Sequence, residues 1–277
     1  MQIGWYDGAS QRRLTFEEAL DEAKQYGELF GFPLEVLTGM HKQITKERPD
    51  AMTVTRLLSN PRHVKLEAAN DYFAEPESNY ATFRGSIVHQ ILEDNADGDS
   101  ITEIRMSRTL DDVEISGQPD SVRLRETNGR TLLRDWKTTN ELPKYNSPYK
   151  NHIQQVNMYR WLLELDPENT DLEVVYISMD GIKILPLTHA GRTARGRAIA
   201  EQHWPDEKVE AFMRERLTLH QVQPILKYAD IPEDDQWMCR YSPVENLCRR
   251  LAAREAREAW EQGLDVDRLP ERIMRKK

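Results

Sequence analysis

The chain has 277 residues, 39% of them hydrophobic and 31% charged, with a formal net charge of −9. That composition fits one large soluble domain with helical additions, and no apolar stretch approaches the roughly 20 residues that a membrane helix needs. The N-terminal MQIGWYDGASQRR lacks the apolar core of a secretory signal, and two cysteines, Cys239 and Cys248, are too few for a disulfide framework and fit a reducing cytoplasm.

In chain order, residues 15–29 predict an amphipathic helix, because Thr15 and Glu18 form a capping-box pattern and Phe16, Ala19, Leu20 and Ala23 recur at helical spacing. A second helix is expected over 33–46, so residues 1–50 read as a helical N-terminal extension closed by the polar KERPDAM. Residues 53–73 read as helix with a break at Pro61, and 84–95 as a shorter helix ending near Asp97-Gly98. Strands follow at 101–110, 112–125 and 131–138, the last two joined through Asn128-Gly129, a strong two-residue hairpin signal. Residues 148–165 predict a helix, 172–179 a strand turned back at Asp180-Gly181 into 182–188, and 198–222 mostly helix. A loop at 228–236 leads to a last helix at 243–262. The order of helix, three strands, helix and two strands predicts a mixed α/β fold, a central sheet flanked by helices with the site at its open edge. The domain proper is expected over 51–265, with a core at 84–190 against which the helical segments 53–73 and 198–262 pack together, followed by a basic tail at 266–277.

The negative total weighs mildly against an extended nucleic-acid surface. The charge is uneven, however. Residues 249–277 carry nine Lys/Arg against six Asp/Glu, and Arg192, Arg195 and Arg197 form another basic cluster. An acidic metal site combined with local basic tracks is compatible with both facts.

The stretch LLRDWKTT places Asp135 and Lys137 two residues apart, hence on one face of a strand. A second carboxylate, Asp120, lies on the strand expected to pair with it. His89 comes from the preceding helix, with Glu93 one turn further on the same face. Two carboxylates and a histidine can hold Mg²⁺ or Mn²⁺, the nitrogen favouring Mn²⁺, and a neighbouring lysine can orient water or stabilise charge on phosphorus. Gln155 and Tyr159, four residues apart, share a helix face that could meet a DNA phosphate or base, or support the site. Taken singly, each residue also fits a solvated strand face, a structural histidine or a turn aspartate.

Taken in order, these residues resemble the RecB-like branch of the PD-(D/E)XK nuclease superfamily, including exonucleases associated with CRISPR adaptation. Gly85 to His89 match its Gly-x-x-x-His motif, Asp120 in GQPD its second acid, Asp135-Trp136-Lys137 its Asp/Glu-x-Lys motif, and Gln155 and Tyr159 its Gln-x-x-x-Tyr motif. The resemblance implies a restriction-endonuclease-like αβββαβ core and a Mg²⁺- or Mn²⁺-dependent deoxyribonuclease. It implies metal ligation by His89, Asp120, Asp135 and the Trp136 carbonyl, and catalysis by Lys137 with Asp135 and Asp120. Glu93 is a further catalytic candidate, and Gln155, Tyr159 and Arg84 are candidates for contact with DNA. The implied substrate is DNA with single- or double-stranded ends, in recombination, repair or phage- or CRISPR-related processing, in the cytoplasm of a bacterial or phage-infected cell. A homo-oligomer or a recombination or helicase partner would fit such a role; a membrane would not. Two other readings stand beside the exonuclease: a non-catalytic DNA-end-binding subunit and a site-specific endonuclease.

Many members of that branch hold an iron–sulfur cluster with four cysteines. Here Asn60 stands at the first position and Ser242 at the third, while Cys239 and Cys248 match the other two. No cluster is therefore expected. Asn60-Pro61 and Ser242-Pro243-Val244-Glu245 instead read as helix caps with proline at the first helical position.

Overall fold

The computed structural model describes residues 1–46, 51–102, 104–124, 129–189, 191–192, 198–199, 201–223, 225–236, 238 and 244–261. The elements run β1 (Gln2–Asp7), β2 (Arg12–Thr15), α1 (Phe16–Tyr26), β3 (Glu28–Leu29), β4 (Phe32–Pro33) and α2 (Leu34–Ile44). Next come β5 (Met52–Thr53), α3 (Val54–Leu58), α4 (Pro61–Ala69), β6 (Tyr72–Ala74), α5 (Pro76–Asp94), β7 (Ser100–Thr102), β8 (Met106–Leu110), β9 (Val113–Gly117) and β10 (Ser121–Leu124). The chain continues through β11 (Thr131–Thr138), α6 (Lys150–Leu162), β12 (Thr170–Ser178), β13 (Gly181–Pro186), α7 (Asp206–Gln221), α8 (Glu233–Gln236) and α9 (Glu245–Glu261). Helices and mixed sheets together make the α/β class expected. The residues form two compact units: one of 1–47, 59–83 and 217–277, the other of 48–58 and 84–216.

In the first unit, β1 pairs antiparallel with β2 and parallel with β6. The N-terminal segment thus carries strands as well as the two helices expected. QIGWYD has a buried centre and half-exposed ends, which is what a middle strand covered by a helix presents. Trp5 is fully buried, edge-on to Phe16, and shares a core with Ala19, Ala23, Leu37 and Met40. The capping box at Thr15 and Glu18 forms as expected, and Gly27, left-handed at φ 83°, ends α1.

A second core of the same unit gathers Leu66 of α4, Leu226, Tyr228 and Ile231, and Val244, Cys248 and Ala252 around α9. Asn60 caps α4, its side-chain oxygen accepting from the N–H groups of Arg62 (3.0 Å) and His63 (3.4 Å), with Pro61 in the first turn. Its amide donates to the Asp235 carbonyl at 3.3 Å. Arg62, fully buried, donates to the Leu226 carbonyl (2.7 Å) and to Glu255 (2.8 Å), and the Tyr228 N–H donates to the other Glu255 oxygen (3.0 Å). Cys239 and Ser242, the turn residue Asn128, Arg195 and Arg197 of the basic cluster, and the tail after Glu261 lie outside the described residues.

The second unit holds a five-stranded sheet in the order β13-β12-β11-β10-β7 and a three-stranded sheet β5-β9-β8. In the larger sheet only β11 and β12 run parallel. The expected strand 112–125 is two strands in two sheets, broken at Gln118-Pro119-Asp120, because proline has no N–H for the ladder. The expected 101–110 likewise divides, β7 joining the larger sheet and β8 the smaller. The β8–β9 hairpin turns on Asp111 and Asp112, both with positive φ, the backbone of a two-residue primed turn. At the β10–β11 hairpin the described pairing runs to Leu124 and Thr131, and Gly129 has the positive φ (66°) expected of the Asn128-Gly129 turn, whose first residue lies outside the described residues. Pairing of Ser178 with Gly181 makes Met179 and Asp180 the turn residues between β12 and β13. The helix expected over 84–95 begins earlier, at Pro76, and the helix of 198–222 begins only at Asp206. Helix α6 packs on β11 and β12, and its second half, Val156 to Leu162, is buried all round.

Replacing Asn60 by alanine removes the α4 cap and the tie to Asp235 together. Asn60→Ala is expected to lower stability by about 1–2 kcal/mol, read as a lower urea midpoint with an unchanged slope.

Candidate active site

The site grows from the place where β10 stops. Pairing of β10 with β11 ends at Ser121 and Arg134, whereas β12 follows β11 to Thr138. Beyond Arg134 the backbone of β11 therefore has no strand on its β10 side, and its polar groups there need other partners. Asp120, the residue just outside β10, accepts the Trp136 N–H at 2.5 Å. His89, reaching from α5, puts Nε2 3.1 Å from the Trp136 carbonyl and Nδ1 3.2 Å from the other Asp120 oxygen. Both partners of the imidazole are acceptors, so this arrangement suits a cation between them. The His89 and Trp136 rings meet edge-on at 5.9 Å.

Two glycines let these elements approach. A Cβ on Gly85 would stand 3.0 Å from the Thr138 hydroxyl, where α5 comes down on β11. A Cβ on Gly117, in the GQPD stretch, would stand 2.7 Å from both the Tyr159 ring and Leu162.

Asp135 and Lys137 share a face of β11, as alternation predicts, and their side chains form an ion pair at 2.6 Å. Asp135 is 1% exposed, and the Lys137 ammonium is the charged partner of its Oδ2. Burial pushes the Asp135 carboxyl up to about 6; the Lys137 ammonium opposes this and the nearby Asp120 adds to it. Two carboxylates thus stand close in a poorly solvated site, Asp135 paired with the Lys137 ammonium and Asp120 with the His89 ring. That is a setting that a divalent cation would relieve. Among the described residues no three His, Cys, Asp or Glu side chains already surround a common point. The donors present, two carboxylates, an imidazole and the Trp136 carbonyl, instead hold one another, and they fit Mg²⁺ or Mn²⁺ by type.

Tyr159 is 5% exposed, and its hydroxyl takes the Gln155 amide N–H at 2.8 Å and meets the Thr55 hydroxyl. Burial, helped by Asp135, raises its pKa and keeps it protonated. This pair stands behind the carboxylates. Arg84 and Glu93 have other partners: Arg84 donates to Asn140, just past β11, at 2.8 Å, and Glu93 meets the Gln90 amide at 3.4 Å. Sequence reasoning missed Tyr176 and His152. Register places Tyr176 directly opposite Lys137 on the same face. Its hydroxyl accepts the Tyr149 N–H (3.0 Å) and lies 2.7 Å from His152 Nδ1. Burial, with Lys137 nearby, drops the His152 pKa to about 3 and leaves the ring neutral. Only the pairing register exposes this neighbourhood; no local motif marks it.

A family model described as the PD-(D/E)XK nuclease superfamily matches residues 8–249. Among solved structures the chain is similar to "Crystal structure of SSO0001", with 19% identity and a TM-score of 0.52 over 78% of this chain and 94% of that one, a likeness of fold. No curated protein matches the chain. No helix among the described residues is long and apolar enough to cross a membrane.

The buried Asp135 carboxylate makes a stability prediction whose sign is opposite to that of an ordinary salt-bridged aspartate. Its folded pKa, about 6, lies above the ordinary 3.8, so the native state holds the proton more tightly and the metal-free protein gains stability as pH falls through that window. Asp135→Asn, neutral and nearly isosteric, is expected to be more stable than wild type in EDTA at pH 8 by about 1–3 kcal/mol. The gap closes between pH 6 and 4, as paired denaturation curves at three pH values would show. A variant no more stable than wild type at pH 8 would contradict this reading of the site.

Proposed function

The chain belongs to the PD-(D/E)XK nuclease superfamily, and we propose that within it this protein is a Mg²⁺- or Mn²⁺-dependent DNA exonuclease of the RecB-like branch. The observation that carries the reading is that Asp120 and His89 meet at the backbone of Trp136, at the end of a strand left open on one side, while the flanking Asp135 pairs with Lys137 close enough to Asp120 and His89 to feel their charge. Asp120, Asp135, His89 and the Trp136 carbonyl would hold the metal. When bound, the metal supplies Lewis acidity to the phosphodiester and its attacking water.

The remaining work falls to the chain's own groups. Lys137 can orient the attacking water by hydrogen bonding and would offset negative charge developing on the phosphoryl oxygens. The fixed Asp120–Trp136 hydrogen bond holds the β10 end against β11, so the two carboxylates keep their spacing without substrate. Gln155 and Tyr159 act here by supporting the site, because the Tyr159 ring and hydroxyl are buried. Arg84, which donates to Asn140 just past β11, would be a contact for a DNA phosphate. The role proposed is DNA-end processing in recombination, repair or phage- or CRISPR-related pathways. No iron–sulfur cluster is proposed, because the Asn60 side chain is already engaged as donor and acceptor.

The test is cleavage of 5′- and 3′-labelled linear strands and of covalently closed circles, with Mg²⁺ or Mn²⁺ and with EDTA. Linear DNA is expected to be degraded from an end, circles to survive, and EDTA to abolish the reaction. Asp135→Ala and Lys137→Ala are expected to lose about 100-fold or more of the rate. Cutting of circles would favour a site-specific endonuclease. Wild-type rates in both variants would remove the assignment, and binding without any cleavage would leave an end-binding subunit.

A further inference from the structure

The segment between β11 and α6 is tied down, yet it leaves two tyrosines in solvent. The Lys183 ammonium, on β13, donates to the carbonyls of Pro143 (2.7 Å) and Tyr145 (3.0 Å). Thr139 donates to the Glu141 carbonyl at 2.9 Å, the Gln202 amide holds Ser147 at 2.6 Å, and Pro148 is buried. Against this anchoring, Tyr145 is 82% exposed and Tyr149 48% exposed. In a loop already fixed by charge-assisted bonds to its own carbonyls, the Tyr145 ring adds almost no burial and the Tyr149 ring leaves about half its surface to solvent.

Tyr149 is also oriented. Its ring meets Tyr176 at 5.6 Å and 88°, and His152 at 5.8 Å and 74°, while its N–H donates to the Tyr176 hydroxyl. Edge-to-face contacts of this kind fix a ring without covering it. Tyr176 is the register partner of Lys137. Neighbouring strands place such partners about 5 Å apart, so the Tyr149 ring stands only a few nucleotides of extended strand from the lysine. The local charge agrees. Residues 137–152 contain Lys137, Lys144 and Lys150 against the single acid Glu141, in a chain whose total is −9.

We propose that Tyr145 and Tyr149 form a base-stacking platform beside the active site, so that the strand delivered to Asp135 and Lys137 is single-stranded DNA. The inference rests on the nuclease reading and narrows its substrate to an unpaired end. Exposed rings among lysines suit an unpaired strand, because each base has a π-face to stack while its phosphates run past the ammonium groups. Stacking tolerates any sequence, which an enzyme moving along a strand requires. Duplex DNA keeps its internal bases stacked within the helix and offers only the outer face of its terminal pair, not successive bases, to the two rings.

The probe is single-stranded DNA carrying 2-aminopurine near its 5′ or 3′ end, titrated with the full chain in Ca²⁺, with the same oligonucleotides annealed as duplex. Wild type is expected to quench the single strand on binding. Tyr149→Ala is expected to lose the quenching and to bind about tenfold more weakly, Tyr149→Phe to keep both, and Tyr145→Ala to lose part. Lys144→Ala is expected to weaken binding in a salt-dependent way with quenching intact at saturation. Tyr145 is so exposed that its variant reports on contact rather than folding. Quenching and affinity unchanged in Tyr149→Ala, or equal Tyr149-dependence for duplex, would overturn the platform. Failure of the two readings is separable. A wild type that cleaves strands at the same rate as Tyr149→Ala keeps the exonuclease and loses the platform. A wild type that stacks single strands through Tyr149 but cleaves no DNA does the reverse.

Discussion

The hydrogen bond from the Trp136 N–H to Asp120 is the contact on which the site depends. A strand residue points its N–H and its carbonyl to the same side, so losing a neighbouring strand leaves both groups of that residue to be satisfied. Trp136 is such a residue. Its β10-side neighbour has stopped at Ser121, and the two groups go to Asp120 and His89. The break at Pro119 is therefore not an interruption of the fold but what creates the site. It ends one strand early, turns Asp120 inward across the gap, and gives a helix histidine a main-chain carbonyl to meet. An uninterrupted β10 would have satisfied Trp136 in the ladder and left Asp120 on one face of a sheet.

Electrostatics then follow from burial. Asp135, next to Trp136 along the strand, lies nearly out of solvent. Its raised pKa reports the cost of keeping a second carboxylate near Asp120. Lys137 supplies the larger offset to that cost and His89, beside Asp120, a smaller one. A site assembled this way keeps two carboxylates together in little solvent, a setting that a divalent cation would relieve. This also accounts for the absence, among the described residues, of a ready cluster of three ligating side chains. Without a cation, Asp120 and His89 use one another and Trp136.

Much of this was legible in the chain because it depends on local rules. Alternation alone puts Asp135 with Lys137, the Thr15/Glu18 pattern marks the start of α1, and Asn60-Pro61 marks that of α4. What was not legible depends on pairing between distant segments. VEISGQPDSVRL reads as one strand by residue preference, and only its division between two sheets reveals the gap that Asp120 fills. The Asp111-Asp112 turn was a missed signal, since both residues tolerate positive φ. Tyr176 sits in an apolar strand with nothing to distinguish it until register sets it opposite Lys137. The strands of the N-terminal segment were likewise hidden, because QIGWYD acquires its partners from residues 12–15 and 72–74.

The first unit is clipped by hydrogen bonds and one ion pair. Asn60 caps its own helix and reaches the Asp235 carbonyl. Arg62 and Glu255 then join α4 to the 226–228 segment and to α9, across more than 160 positions of sequence. Cys248 packs among the apolar side chains of that core. Such a network holds by geometry and charge, and it carries a penalty: Nε and one terminal nitrogen of the fully buried Arg62 have no hydrogen-bond partner. Loss of Glu255 would leave that guanidinium without its counter-charge, whereas loss of Asn60 removes a cap and one tie. The two residues therefore hold the same junction with unequal force: the ion pair is the stronger constraint and the cap the local one. The Arg62–Glu255 pair ties α9 to α4, whereas the Asn60 amide ties the start of α4 to the Asp235 carbonyl.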